Sequence, residues 1–254
     1  MRFAFCGDRK ISVDILDWLI TKGDIPSVLL VADSSKQSHS QELINLLKPY
    51  KKLVFFGKEV NGDECRKELT SCNLDYIIGI HFPYIIKSET LHIPKVGFLN
   101  LHPAYLPYNK GWHTPSWSIL ENTKYGATLH FMSEVLDEGD IVHQKEISIS
   151  LDDTANSLYQ KVLKLEFEVF VEAYEDLKSL NPKRIAQIEK GTSHLKRDLI
   201  DSQKANLDDL MTFKNWFNKV RAFTTNDIKE GAFFEAGGNR YYLQIKILKE
   251  SNEV

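Results

Sequence analysis

The order of elements read along the chain predicts an α/β fold. It comprises a mostly parallel sheet with helices on both faces, then a small α+β C-terminal unit ending in a β-hairpin. Three observations carry this reading. Short apolar runs alternate with stretches of helical apolar spacing from residue 2 to residue 80. A long amphipathic stretch follows between Thr154 and Leu180. Near the end, two apolar runs flank a Gly237-Gly238-Asn239 turn.

Taken in order, residues 2 to 6 read as a buried strand that ends at Gly7. Ile11, Ile15, Leu16, Leu19 and Ile20 recur at helical spacing between Ile11 and Lys22, and Gly23 closes that helix. Val28 to Ala32, Leu53 to Phe56 and Tyr76 to Ile80 are apolar runs of strand length. Gln41 to Leu47 and Asp63 to Leu69 fill the gaps as helices. Such alternation is what a parallel sheet with crossover helices requires. Val96-Gly97-Phe98-Leu99 opens another buried strand. Ser116 to Glu121 predicts a short helix, Tyr125 to Phe131 a strand, and Ile141 to Ile149 its antiparallel partner.

The helix from Thr154 to Leu180 places Leu158, Val162, Leu165, Val169 and Ala173 on one stripe, and Asp152-Asp153-Thr154 supplies its start signal. Beyond Asn181-Pro182 the chain turns polar and turn-rich to about Asn206. A boundary near Lys190 therefore predicts a catalytic domain over 1–190 and a small unit over 191–254. The latter holds a helix from Thr212 to Ala222 and a hairpin built from Ala232-Phe233-Phe234 and Tyr241 to Leu248.

Composition narrows the function classes. A net charge of −3 gives no electrostatic reason to expect nucleic acid as the main partner. Cys6, Cys65 and Cys72 show neither a framework spacing nor a Cys-x-x-Cys pair, so reduced thiols are expected. No apolar stretch approaches the about 20 residues of a membrane span, and the N-terminal run is too short for a signal peptide. A cytoplasmic protein without membrane partners is the expectation.

In parallel sheets ligands bind beyond the carboxyl ends of the strands, and Gly7, His81 and Asn100 fall at such ends. The first turn, Gly7-Asp8-Arg9-Lys10-Ile11-Ser12, lacks the glycines a dinucleotide pyrophosphate needs. Arg9 or Lys10 can meet a phosphate there, or stand as a solvated charge at a helix start. His81-Phe82-Pro83-Tyr84-Ile85-Ile86 is an apolar, aromatic loop, whereas loops are normally polar. The organising stretch is Gly97 to Val142. Alternation in an extended chain sends Asn100 and His102 to one side and Leu101 to the core, and Pro103 and Pro107 then end regular pairing. Leu136-Asp137-Glu138-Gly139-Asp140 follows as an acidic turn.

An amide, an imidazole and a carboxylate set this way suit acyl transfer without a covalent intermediate. The amide of Asn100 donates to a developing oxyanion, the His102 imidazole handles a proton, and the Asp137 carboxylate supports the imidazole and its charge. Read singly, Asn100 is a strand-end cap, His102 a loop side chain and Asp137 a turn former. Read together and in this order, they describe a catalytic centre. No metal is expected, since the histidines show no His-x-x-x-His or Cys/His cluster.

The Asn-x-His-Pro segment, the following Leu-Pro and the downstream Leu-Asp-x-Gly-Asp resemble the signature of folate-dependent formyltransferases. The likeness covers about residues 1 to 180 well and the rest more loosely. Pro107-Tyr108-Asn109-Lys110-Gly111-Trp112-His113 and the C-terminal half are closest to the sugar N-formyltransferases. The resemblance implies a Rossmann-like core and transfer of a formyl group from N10-formyltetrahydrofolate to the amine of a nucleotide-linked sugar. It points to dTDP-4-amino-4,6-dideoxyglucose, and thereby to O-antigen and lipopolysaccharide synthesis, with a 3-amino isomer close behind.

It also implies that Phe82, Tyr84, Ile85 and Ile86, with Leu136, Glu138, Gly139 and Asp140, line the pterin pocket. Tyr105 to Trp117 would build the acceptor pocket, with Tyr105, Lys110, Trp112, His113 and Thr114 in contact alongside Arg9. Lys110 would meet the pyrophosphate as a point charge. Trp117 reads equally as an acceptor face or as helix core. Homodimerisation through the C-terminal hairpin is implied as well. Two alternatives stand beside this reading: a hydrolase releasing formate from the same folate, and a methionyl-tRNA formyltransferase.

Overall fold

Among the described residues eleven strands form one large sheet and two two-stranded ones, with helices between them. In chain order the elements are β1 (Phe3–Gly7), α1 (Lys10–Thr21), β2 (Val28–Val31), α2 (Ser40–Leu47), β3 (Leu53–Phe56), α3 (Asp63–Ser71) and β4 (Tyr76–Ile80). Then come α4 (Ser88–Leu91), β5 (Gly97–His102), β6 (Lys110–Gly111), α5 (Thr114–Glu121), β7 (Tyr125–Phe131) and β8 (Ile141–Ile147). The chain continues with α6 (Ala155–Lys178), β9 (Ser193–His194), α7 (Lys196–Gln203), α8 (Phe213–Ala222), β10 (Ala232–Ala236) and β11 (Asn239–Leu243). These come from a computed structural model, which describes residues 1–250.

The large sheet has the order β3-β2-β1-β4-β5-β7-β8. β1 to β5 pair in parallel, and β7 runs antiparallel to β5. Every residue of β1, β2 and β4 is buried, which is why these strands read as continuous apolar runs instead of alternating ones. On one face Ala4, Cys6, Val28, Leu30, Ile77 and Phe98 pack with Cys65, Leu69 and Leu91. Each fully buried side chain of Leu or Phe size contributes about 2 kcal/mol. On α1, Trp18 sets its ring edge-on to Phe167, Phe170 and Tyr174 of α6. The thiols are free, and burial pushes that of Cys6 well above its usual range.

The chain separates into two compact units. The first comprises Met1–His102, Ala127–Gln144 and Leu165–Ile188; the second comprises Pro103–Gly126, Lys145–Lys164 and the residues from Glu189 onward. In the first, a segment past α6 returns to the sheet: Ile185 and Ile141 exchange backbone hydrogen bonds of 2.9 and 2.8 Å. The second unit has its own small core of Trp117, Leu199, Phe223 and Ala232. Its hairpin pairs Phe233 with Tyr242 and Phe234 with Tyr241, and turns at Gly237 and Gly238, both at positive φ as such a tight turn needs.

The expected elements are present with ends shifted by one or two residues, and two departures are larger. The polar stretch before Asn206 contains a helix, α7, whose only fully buried apolar side chain is Leu199, so its periodicity is too thin to read. The last strand stops at Leu243 instead of running to Leu248, because its partner β10 begins at Ala232 and leaves nothing to pair with. Trp117 is core: it is buried and its ring stacks on His194 at 3.8 Å.

Candidate active site

Pairing of β5 with β7 builds the site in the first unit. Cα partners are Asn100 with His130, Leu101 with Leu129, and His102 with Thr128. Leu101 is buried in the core while Asn100 and His102 alternate to the other side, as the extended chain dictates. Cross-strand neighbours lie close enough to interact. His130 therefore stands directly beside Asn100, and its Nε2 lies 3.3 Å from the Asn100 amide Nδ2. The other ring nitrogen of His130, Nδ1, donates to the Phe131 carbonyl at 2.8 Å. That bond fixes the tautomer: in the neutral ring Nε2 carries no proton and accepts from Asn100.

Asp137 completes the cluster from the acidic turn. Its Oδ2 lies 3.6 Å from His102 Nε2 and its Oδ1 3.7 Å from His130 Nε2, so the carboxylate sits between two imidazoles. The rings of His102 and His130 meet edge to face at 6.2 Å. All three side chains are buried. Burial lowers the His130 pKa to about 4, with His102 pushing the same way and Asp137 opposing. His130 is thus a neutral acceptor at physiological pH. Its carboxylate neighbour is left to His102.

The turn that presents Asp137 is held by backbone geometry. Asp137 itself has φ 55, in the left-handed region that Asp tolerates better than most residues. A Cβ on Gly139 would come within 1.9 Å of the Phe131 carbonyl oxygen, so only glycine allows this approach. Phe131 N–H donates to the Asp140 carbonyl at 2.9 Å, closing the turn onto β7. Gln187, from the segment past α6, donates its Nε2 to the carbonyls of Asp137 and Gly139 at 2.9 and 2.8 Å. Arg184 lies over the Phe131 ring at 3.5 Å and 3.7 Å from the Asp140 carboxylate.

The loop after β4 is tethered at both ends. His81, at φ 51, turns its ring to the fully buried carboxylate of Glu166 on α6, at 2.8 and 3.0 Å. Phe82 and Ile86 pack on the sheet core, and Tyr84 stacks obliquely on Phe82 at 5.2 Å. Lys36 sits over the Tyr84 ring at 4.6 Å, while Asp33 N–H donates to the phenol oxygen at 3.4 Å. Ile85 is 88% exposed, its carbonyl held by Asn61 Nδ2 at 2.8 Å. Leu136 is also exposed. Arg9 stands exposed ahead of α1, its carbonyl accepting from the Ser12 hydroxyl at 2.5 Å.

The remaining expected contacts belong to the second unit. Lys110 is only 6% exposed and donates its backbone N–H to Thr192 at 2.9 Å in the β6–β9 pair. Trp112 is 48% exposed with Lys196 5.4 Å above its ring. His113, at φ 58, precedes α5; burial and the Lys196 charge lower its pKa. The Thr114 hydroxyl donates to the Pro103 carbonyl at 2.5 Å. Lys124 lies over the Tyr105 ring at 5.2 Å.

The sequence singles out neither His130 nor Gln187. His130 left one signal: a polar residue in a wholly buried strand must have a partner. Gln187, in an irregular polar segment, left none. Among the described residues no group of three or more His, Cys, Asp or Glu side chains is arranged to hold a metal ion.

Comparison with known proteins bears on both units. A family model described as formyl transferase matches residues 19–174, and one described as an N-formyltransferase dimerization C-terminal domain matches residues 198–249. The dTDP-4-amino-4,6-dideoxyglucose formyltransferase of Mycobacterium bovis is 28% identical over 158 residues, 62% of this chain and 68% of that protein. The methionyl-tRNA formyltransferase of Sulfurimonas denitrificans is 27% identical over 232 residues, covering 88% of this chain and 74% of the relative. A sugar N-formyltransferase from Shewanella has the same fold, with TM-score 0.85, 23% identity and 99% of both chains covered. An N-formyltransferase from Helicobacter canadensis, solved with folinic acid and dTDP-3-aminofucose, aligns with TM-score 0.71 and 20% identity over 94% of this chain and 85% of that one.

Proposed function

Because this chain belongs to the formyl transferase family, we propose that it moves a formyl group from N10-formyltetrahydrofolate to the amine of a nucleotide-linked amino sugar. We take dTDP-4-amino-4,6-dideoxyglucose as the first acceptor to test. The observation that carries the reading is the cluster of Asn100 with the buried His102, His130 and Asp137 at the carboxyl end of β5.

The chemistry follows from these side chains. The acceptor amine attacks the formyl carbon, and negative charge collects on the formyl oxygen. Asn100 spends one N–H on His130, which leaves the second for that oxygen. His102 takes the proton the attacking nitrogen sheds, and the Asp137 carboxylate stabilises the imidazolium so formed. The intermediate then collapses as the bond between the formyl carbon and N10 breaks, and N10 of the departing tetrahydrofolate takes up the proton, which returns His102 to its neutral form. The donor is expected against Phe82, Tyr84, Ile85, Ile86 and the turn at Leu136, Glu138, Gly139 and Asp140. The acceptor is expected against Arg9, Tyr105, Lys110, Trp112, His113 and Thr114. Residues 1–190 are proposed as the catalytic domain and 191–254 as a dimerising appendage in a cytoplasmic homodimer.

The test is mass spectrometry after incubation with the folate and a panel of 3-amino and 4-amino sugars on different nucleotide carriers. Gain of one CO unit on the dTDP-4-amino sugar is the expected result. Formate release without any formylated sugar would replace this reading by a hydrolase. The extended match to the Sulfurimonas enzyme favours methionyl-tRNA as the second acceptor to include.

A further inference from the structure

The Gln187 side chain is used on one side only. Its Nε2 donates to two carbonyls, of Asp137 and Gly139, and this fixes which end of the amide is nitrogen. The oxygen at the other end, Oε1, is buried and has no hydrogen-bond partner among the described residues. Buried acceptors are nearly always satisfied by protein, water or ligand, so an orphaned one points to a donor supplied from outside the chain. Rotating the amide does not remove the problem: it would set the oxygen against two carbonyl oxygens.

The segment bearing Gln187 is held in place on its N-terminal side. The Ile185–Ile141 bridge, the Arg184 hydrogen bond to the Val96 carbonyl at 2.6 Å and the Arg184 stack on Phe131 all pin it to the sheet. Oε1 is therefore a preset acceptor next to the turn that carries Asp137. In the donor reading proposed above, on which this inference rests, that turn faces the reduced pterin. The aminopyrimidine edge of a pterin presents N–H donors, the chemistry a lone amide oxygen lacks.

We propose that Gln187 is a donor-site residue with two jobs: its Nε2 braces the Asp137 turn, and its Oε1 accepts an N–H from the 2-amino group of the bound folate. The two ends of one amide would then tie folate binding to the placement of the catalytic carboxylate.

Calorimetric binding of tetrahydrofolate, without acceptor, tests this. Gln187→Met keeps the side-chain length and loses both polar ends; Gln187→Leu, which also lacks the acceptor oxygen, serves if that variant fails to fold. The dissociation constant should rise about tenfold, the value of one buried hydrogen bond. The 2-desamino-2-methyl analogue should bind wild-type protein about tenfold more weakly than tetrahydrofolate, and the variant should bind both alike. A variant that still discriminates fully between the two would overturn the assignment of Oε1. Equal tetrahydrofolate affinity in variant and wild type would overturn the inference as a whole. If wild-type protein itself fails to bind tetrahydrofolate, the folate reading falls and takes this one with it.

Discussion

His102 and Asp137 face each other at ion-pair distance, and their roles arise only as charge develops. Changing His102→Ala or Asp137→Asn should each lower turnover about 100-fold or more, with the acceptor Michaelis constant little changed. Steady-state kinetics on the two variants decides it; near-normal turnover removes that residue from the mechanism. His130 differs in kind, since it is buried neutral. Its folded-state pKa of about 4 lies below the ordinary 6.5. The unfolded chain therefore binds its proton first, and the stability from this group is complete above pH 6.5 and is lost as pH falls toward 4. The loss amounts to about 3 kcal/mol at most. Urea unfolding at pH 7 and pH 4.5 should show a smaller drop for His130→Gln than for wild type. Identical drops would mean that His130 is charged in the native state.

At the scale of elements, the site depends on one turn and one pairing. Gly139 lies against the Phe131 carbonyl so closely that any side chain must push the turn off β7. Gly139→Ala should destabilise the protein by about 1–3 kcal/mol, the range of overpacked sites. It should also lower turnover, because Asp137 moves with the turn. Thermal melting alongside kinetics checks both parts, and an unshifted melting point would show that the turn yields freely. The β6–β9 pair has a related lesson. Gly111, at φ 91, has the His194 carbonyl 2.3 Å from where its Cβ would be, so the stretch read as the acceptor loop is shaped by a partner about 80 residues away.

For the whole molecule, the second unit leaves Leu207, Leu210 and Phe213 largely exposed, with Trp216 partly so. Of these, Phe213 and Trp216 meet ring to ring, so part of this surface is one exposed aromatic patch of the kind a partner covers. A match to a dimerization domain over 198–249 agrees with its burial against a second copy. Light scattering should report a dimer for wild type and a monomer for Phe213→Asp with unchanged melting temperature; a monomeric wild type would refute it. Net charge offers a second test at this scale. A chain at −3 is poorly suited to neutralising many phosphates. The acceptor Michaelis constant should rise only mildly between about 50 and 200 mM salt, where a nucleic-acid complex would lose about a thousandfold or more in affinity. A steep salt slope would return the assignment to tRNA.

What the sequence alone determined is local or periodic. Apolar runs marked β1, β2 and β4 because strands buried on both faces are built almost wholly from apolar residues. Alternation put Asn100 and His102 on one side of β5, since the period of an extended chain is two. The acidic turn announced itself through Asp137, Glu138 and Gly139. Tertiary structure alone decided what these residues touch. His130 became the partner of Asn100 through a strand register 30 positions away, and Gln187 reached the Asp137 turn from 50 positions away. Ile85, one residue from the packed Ile86, was left in solvent by the way its loop is tethered. Helix and strand propensities act within a few residues, whereas register, loop closure and the pairing of buried polar groups are settled only when distant segments meet.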